Sequence, residues 1–192
     1  MEKIKRFCRE NARILLALGA VLAFCAVLPV MFAATAVPTG SWGLSFRTEG
    51  QPPVGNATAG ALRQYDAVYV GDTEEKVIYL TFDAGYEAGY TEQILDVLKK
   101  HDVKAAFFVV GTYIENNPEL VRRMAEEGHI VGNHTWHHYN MSQIADLQSF
   151  TRELQSVADQ YREATGEEML PYYRPPQGVY SEENLKMAKS LG

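Results

Sequence analysis

Three short stretches of this chain carry side chains whose types and spacing suit base and metal-ligand chemistry. The run Thr81-Phe82-Asp83-Ala84-Gly85-Tyr86-Glu87 sets one carboxylate, Asp83, between an apolar segment and a Gly-containing loop. A carboxylate at the end of an apolar strand is unfavourable unless it is paired or used. The run His134-Thr135-Trp136-His137-His138 holds two imidazoles, His134 and His138, separated by three residues. On one helical turn or a tight loop both rings fall on one side, which is a metal-ligand spacing. His137 stands beside them, so the run offers a third imidazole. In Arg174-Pro175-Pro176-Gln177-Gly178, Arg174 can pair with Asp83, orient it and keep it ionised as a base. Each residue also has a plainer use. Asp-Ala-Gly is turn chemistry, an isolated His-x-x-x-His is often a solvated loop, and an Arg ahead of Pro-Pro is often a surface charge. The ligand role is preferred for the histidines because they follow a strand expected in register with Asp83.

These residues need elements to position them. Val77–Phe82 is β-branched and aromatic throughout and predicts a strand buried on both faces. A helix is expected from about Thr91 to His101, then a strand Ala105–Val110. Asn117-Pro118 marks the start of a second helix, which Gly128 ends. A short strand Ile130–Asn133 runs into the histidines. Ser142 is the expected cap of a longer helix whose apolar residues recur at spacings of three and four up to Gly166. A strand Leu170–Tyr173 leads to Arg174, and Ser181 caps a last helix. Four β-then-α units in sequence imply a parallel sheet or a barrel. In such folds chemistry gathers at the carboxyl ends of the strands, and Asp83, His134 and Arg174 each follow a predicted strand.

The rest of the chain divides in two. Residues 1–13 carry Lys3, Lys5, Arg6, Arg9 and Arg13 against Glu2 and Glu10, and Ile14–Ala34 is almost wholly apolar. A basic flank before an apolar run of this length reads as a cleaved signal peptide, with Ala34-Thr35-Ala36 as the cleavage site, or as an uncleaved membrane anchor. Residues 1–36 are therefore leader or anchor. Residues 37–76, punctuated by Gly and Pro, are an exposed lead-in with a short helical patch at Ala59–Tyr65. Residues 77–192 hold the regular βα pattern. Net charge is −6 over the whole chain, and the first 13 residues carry a surplus of three positive charges, so the remainder carries −9. No basic face is left for nucleic acid. Both cysteines, Cys8 and Cys25, lie in the leader, so any metal in the globular part must be held by His and carboxylate.

The stretches Thr81-Phe82-Asp83-x-Gly85, His134-Thr135-x-x-His138 and Arg174-x-Pro176 resemble the first three motifs of the polysaccharide deacetylases with NodB homology, carbohydrate esterase family 4. The longer runs Tyr79–Glu87 and Tyr173–Gly178 are most similar to the delta-lactam-biosynthetic de-N-acetylases of spore-forming bacteria, which act on N-acetylmuramic acid of cortex peptidoglycan. The resemblance covers about residues 65–192. It implies a distorted (β/α) barrel, of which about the first four βα units are present, and metal-assisted amide hydrolysis outside the cytoplasm. Asp83 matches the catalytic base, His134 and His138 the metal ligands, and Arg174 the residue that positions the base. Zinc is the first choice of ion. The typical motif has a second Asp as third metal ligand where this chain has Ala84. The delta-lactam subgroup also lacks it, and the metal site is expected to be weak. The family's downstream motifs, including the general-acid His, would lie beyond Gly192. Residues 77–192 fall short of the roughly 200 of a whole barrel. The chain is expected to be the N-terminal part of a longer domain and inactive alone. Two other functions remain open: deacetylation of chitin-like or N-acetylglucosamine polymers, and glycan binding without catalysis.

Overall fold

The computed structural model describes residues 39–41 and 44–192, with the side chains of residues 44–192. The leader or anchor expected over residues 1–36 lies outside them, and among the described residues no helix is long and apolar enough to cross a membrane. Strand β1 (Thr39–Ser41) is followed by a short helix α1 (Ala59–Arg63), capped by the Thr58 hydroxyl. Then come β2 (Thr81–Ala84), α2 (Thr91–Lys100), β3 (Ala106–Val109), α3 (Gly111–Asn116), α4 (Pro118–Glu126) and β4 (Ile130–Asn133). The long helix α5 (Leu147–Thr165), strand β5 (Val179–Ser181) and helix α6 (Glu182–Ser190) complete the chain.

β2, β3 and β4 form a parallel three-stranded sheet in that order. Register places Ala84, Val109 and Asn133 side by side at its carboxyl edge. Phe82, Phe107, Val109 and Val131 point to one face, where they meet Leu95 and Leu98 of α2, Tyr113 and Ile114 of α3, Val121 and Met124 of α4, and Val157 and Tyr161 of α5. Phe82 and Phe107 stack with centroids 5.0 Å apart. The other face, carrying Asp83 and Phe108, is more open.

This alternation corrects the expected first strand. Residues 77–80 are not in the strand, and Ile78 is 86% exposed. The strand begins at Thr81 and is covered on one face only, so Asp83 lies inside it rather than after it. β-propensity favours a strand only where a neighbour covers it, and among the described residues β2 pairs only with β3. The fourth expected strand, Leu170–Tyr173, is reduced to a single parallel bridge between Tyr173 and Asn133. The strand that does form there, β5, pairs antiparallel with β1. The described sheet is thus part of an α/β fold and is not closed into a barrel.

The cap of α5 also differs from expectation. Ser142 lies in a short 3-10 turn, where its hydroxyl donates to Asn140. Asp146 is the cap, its carboxylate accepting the Ser149 N–H at 2.7 Å. The lead-in is less loose than its composition implies. Leu62 of α1 is buried with Tyr180 and Leu185, joined by Tyr65, Ala67 and Tyr69.

Candidate active site

Backbone hydrogen bonds bring the three motifs together at the carboxyl edge of the sheet. The His134 N–H donates to Val109 O at 3.0 Å, extending the β3–β4 ladder by one residue. The Asn133 N–H donates to Tyr172 O at 2.7 Å and the Arg174 N–H to Asn133 O at 3.0 Å, which lays the Arg174 segment beside the end of β4. Gly132 makes room there. A Cβ on it would lie 2.7 Å from the Phe108 ring and 3.1 Å from Tyr172 O.

Arg174 donates from Nη1 to Asp83 Oδ1 at 2.6 Å. Its guanidinium carbon sits 4.1 Å from the centre of the Phe108 ring, next to Asp83 in register on β3. The ring supports the plane of the guanidinium in a cation–π contact. Asp83 is 46% exposed, so the pair is open to solvent.

His134 is buried. Its Nδ1 lies 2.8 Å from Arg174 O. A carbonyl only accepts, so Nδ1 carries the proton and Nε2 keeps its lone pair. That Nε2 is 3.9 Å from Asp83 Oδ2. Burial pushes the imidazole below its ordinary pKa and keeps it neutral, against the opposite pull of the Arg174 carbonyl and Asp83. The His138 ring meets His134 edge-on, with centroids 4.9 Å apart.

The loop joining the two imidazoles is held in an uncommon conformation. Thr135 and His138 have φ of 66° and 57°, a region that β-branched residues in particular avoid. Side chains over-determine it. Asn133 Oδ1 accepts the Thr135 N–H at 2.9 Å, and Thr135 Oγ1 accepts the His138 N–H at 3.0 Å. Glu153 of α5 accepts the His137 N–H at 3.1 Å. Non-Gly residues at positive φ cost on the order of 1–3 kcal/mol each and cluster at functional sites.

The structure places Asp83, His134, His138 and Arg174 close together, and His137 turns aside to Glu153. The donor set supplies ligand types that a divalent ion accepts, without a formed three-ligand site. It offers a neutral imidazole with its lone pair free, a second imidazole and one carboxylate. Ala84 adds no ligand, and among the described residues no group of three His, Cys, Asp or Glu side chains is arranged to hold a metal ion. A cleft of about 450 Å³ opens beside Arg174, lined also by Phe108, Asn133, Tyr172 and Leu185. Neither Asp83 nor the two imidazoles line it, so it flanks the site rather than forming it.

Three supporting residues escaped the sequence. Phe108 lies in the expected strand Ala105–Val110 and Glu153 in the expected helix up to Gly166, and neither belongs to a motif. Glu87 accepts the N–H groups of Gly89 and Tyr90 at 2.6 and 2.8 Å, and the Tyr113 hydroxyl at 2.8 Å. It fixes the loop between Asp83 and α2. An acid just ahead of a helix start was its one available signal.

Residues 70–192 match the family described as polysaccharide deacetylase. The peptidoglycan-N-acetylmuramic acid deacetylase PdaA of Bacillus subtilis (strain 168) is 47% identical over 163 residues, which span 83% of this chain and 61% of that protein. An uncharacterized 30.6 kDa protein from the fumA 3'region of Geobacillus stearothermophilus is 49% identical over 152 residues, covering 79% of this chain and 57% of that protein. The solved structure of Bacillus subtilis PdaA, a family 4 carbohydrate esterase, superposes with a TM-score of 0.76 at 44% identity, over 81% of this chain and 68% of that one. The chain thus spans less than two thirds of the length of these two curated relatives.

Proposed function

This chain belongs to the polysaccharide deacetylase family, and from that premise we propose that it acts as an exported hydrolase removing N-acetyl groups from the amino sugars of peptidoglycan, N-acetylmuramic acid first among them. The observation that carries this is the Asp83 carboxylate, bound by Arg174 on one oxygen and facing His134 Nε2 with the other. Similarity to a peptidoglycan-N-acetylmuramic acid deacetylase supports the choice of sugar, and the basic-then-apolar leader supports an extracytoplasmic, membrane-anchored or secreted location.

In this mechanism Asp83 is the general base. Arg174 holds one of its oxygens and leaves the other turned toward the open face, where it takes a proton from the attacking water. The water oxygen adds to the acetamide carbonyl, the carbon–nitrogen bond breaks as the proton taken by Asp83 passes to the departing nitrogen, and acetate and a free amino sugar result. His134 and His138 would hold a divalent ion, zinc by preference, which when bound polarises the carbonyl as a Lewis acid. The Arg174 carbonyl fixes the His134 tautomer, as an outer partner of a metal ligand does.

The test is acetate release from purified peptidoglycan strands and from chitin oligomers, with the deacetylated sugar identified in the products. Release from muramic acid residues supports the proposal, and release from chitin oligomers alone moves the substrate to N-acetylglucosamine polymers. Ala84 favours a second reading, glycan binding without turnover. Glycan binding with no acetate release at any zinc concentration would establish it.

A further inference from the structure

The chemistry leaves one feature at the rim of the site unused. Tyr139 follows His138 directly, belongs to neither apolar core, and is 54% exposed. Its ring lies nearly flat on His137, with centroids 4.8 Å apart and planes 11° from parallel. His137 is itself clamped. Its Nδ1 lies 2.7 Å from Glu153 Oε1, and its N–H donates to Oε2 of the same carboxylate at 3.1 Å. Glu153 projects from the long helix α5 and is only 12% exposed, so the clamp rests on a rigid element. A tyrosine that merely coats a surface needs no such backing. Here one ring face is supported through two side chains, and the other is offered next to a candidate metal ligand.

A flat, pre-ordered aromatic ring suits the apolar C–H face of a pyranose. Tyr gives a large contact area for little conformational entropy, and fixing the ring beforehand lowers the cost of binding further. On the deacetylase reading above, we infer that Tyr139, backed by His137 and Glu153, is a stacking platform for the sugar next to the one whose acetamide enters the site. The platform makes the chain select a β-linked amino-sugar polymer over a free N-acetylated sugar.

The test is binding without turnover, by calorimetric titration of the full 192-residue chain with N-acetylglucosamine and with its β-1,4-linked tetramer. The tetramer is expected to bind wild type about 10-fold more tightly than the monomer, the scale of one good aromatic contact. Tyr139→Ala removes this gain, while Tyr139→Phe, which keeps the ring and loses the hydroxyl, retains it. Circular dichroism checks folding. If Tyr139→Ala does not fold, Glu153→Ala carries the test by unlocking His137, and the gain then falls about 3-fold. No gain in wild type, a gain kept by Tyr139→Ala, or a gain lost equally in Tyr139→Phe overturns the platform. Acetate release with no length-dependent gain overturns the platform and leaves hydrolysis standing. Length-dependent binding through Tyr139 with no release does the reverse.

Discussion

The two ends of strand β4 carry nearly the same set of side chains and do different things with it. At the carboxyl end, His134 Nε2 is 3.9 Å from the Asp83 carboxylate, which Arg174 binds at 2.6 Å. At the amino end, His129 Nε2 is 3.9 Å from the Glu127 carboxylate, which Arg123 binds at 2.8 Å. The difference lies in the imidazole tautomer and in what surrounds the carboxylate. His129 Nδ1 accepts the Ala105 N–H at 3.2 Å, so its proton sits on Nε2, where no ligand lone pair remains. Glu127 is only 11% exposed and is claimed by Lys99 as well as Arg123. Among the described residues Asp83 meets one cation, Arg174, and keeps an open face. A histidine, a carboxylate and an arginine within reach of one another do not make a reactive site. The carboxyl end differs in keeping a free imidazole lone pair beside an accessible carboxylate.

The largest contrast is expected from neutralising each carboxylate. Asp83→Asn should lower acetate release by about 100- to 10,000-fold, the range for loss of a general base. Its unfolding free energy should change by less than about 0.5 kcal/mol, because the side chain is half exposed. Glu127→Gln should do the opposite: activity intact, stability lower by about 2 kcal/mol. Equal activity losses in the two variants would erase the distinction.

The two histidines sharpen the point through metal binding. His134→Ala should weaken zinc binding by the full chain about 100-fold, read by competition with a chromophoric chelator. His129→Ala should leave zinc affinity within about 2-fold and instead lower stability by about 1–3 kcal/mol, since the buried Ala105 N–H loses its acceptor. Zinc binding that needs His129 as much as His134 would place the ion elsewhere.

The glycines at the two ends divide in the same way. A Cβ on Gly111 would lie 2.1 Å from the Trp136 ring, inside the loop that carries both imidazoles. Gly111→Ala should therefore displace Trp136, destabilise by about 1–3 kcal/mol and weaken zinc binding with it. Gly128 has ample room, its nearest neighbour being Lys104 Cε at 3.7 Å, but its φ is +77°. Gly128→Ala should cost about 1 kcal/mol through the backbone alone and leave the site untouched.

Legibility in the sequence followed how local each determinant was. The Asn117-Pro118 start of α4, the bounds of β4, the left-handed Gly166 end of α5 and the Ser181 cap all rest on a few neighbouring residues, and the structure has them as expected. The run Val77–Leu80 has strand composition and no covering layer, and composition cannot report what a neighbour fails to supply. Leu170–Tyr173 fails as a strand in the same way, reduced to one bridge. Within the site, the Asp83–Arg174 pair was legible because charge and order along the chain define it. Phe108 under the guanidinium and Glu153 behind His137 were not, because register and helix packing bring them there.

The smallest effect concerns the loop after Asp83, where stability should depend on acid in a defined window. The Thr91 hydroxyl, with the Tyr113 hydroxyl and the N–H groups of Thr91 and Gly89, holds the Glu87 carboxyl down to about 2 from an ordinary 4.5, against the opposing effect of burial. A carboxyl depressed in the folded state binds fewer protons there than in the unfolded chain, so folding is favoured as pH rises through the interval. The contribution is complete above about 4.5 and is lost progressively as pH falls toward about 2. Glu87→Gln keeps the shape and drops the charge. At pH 6 its urea-unfolding free energy should lie about 1 kcal/mol below wild type, the usual worth of a helix cap. The two curves should converge as acid protonates Glu87 itself. At the other end of the sheet, Glu127 accepts from Arg123 and Lys99 instead of from backbone N–H groups. Glu127→Gln should therefore lose part of its difference from wild type in high salt, which screens ion pairs, whereas the Glu87→Gln difference should persist.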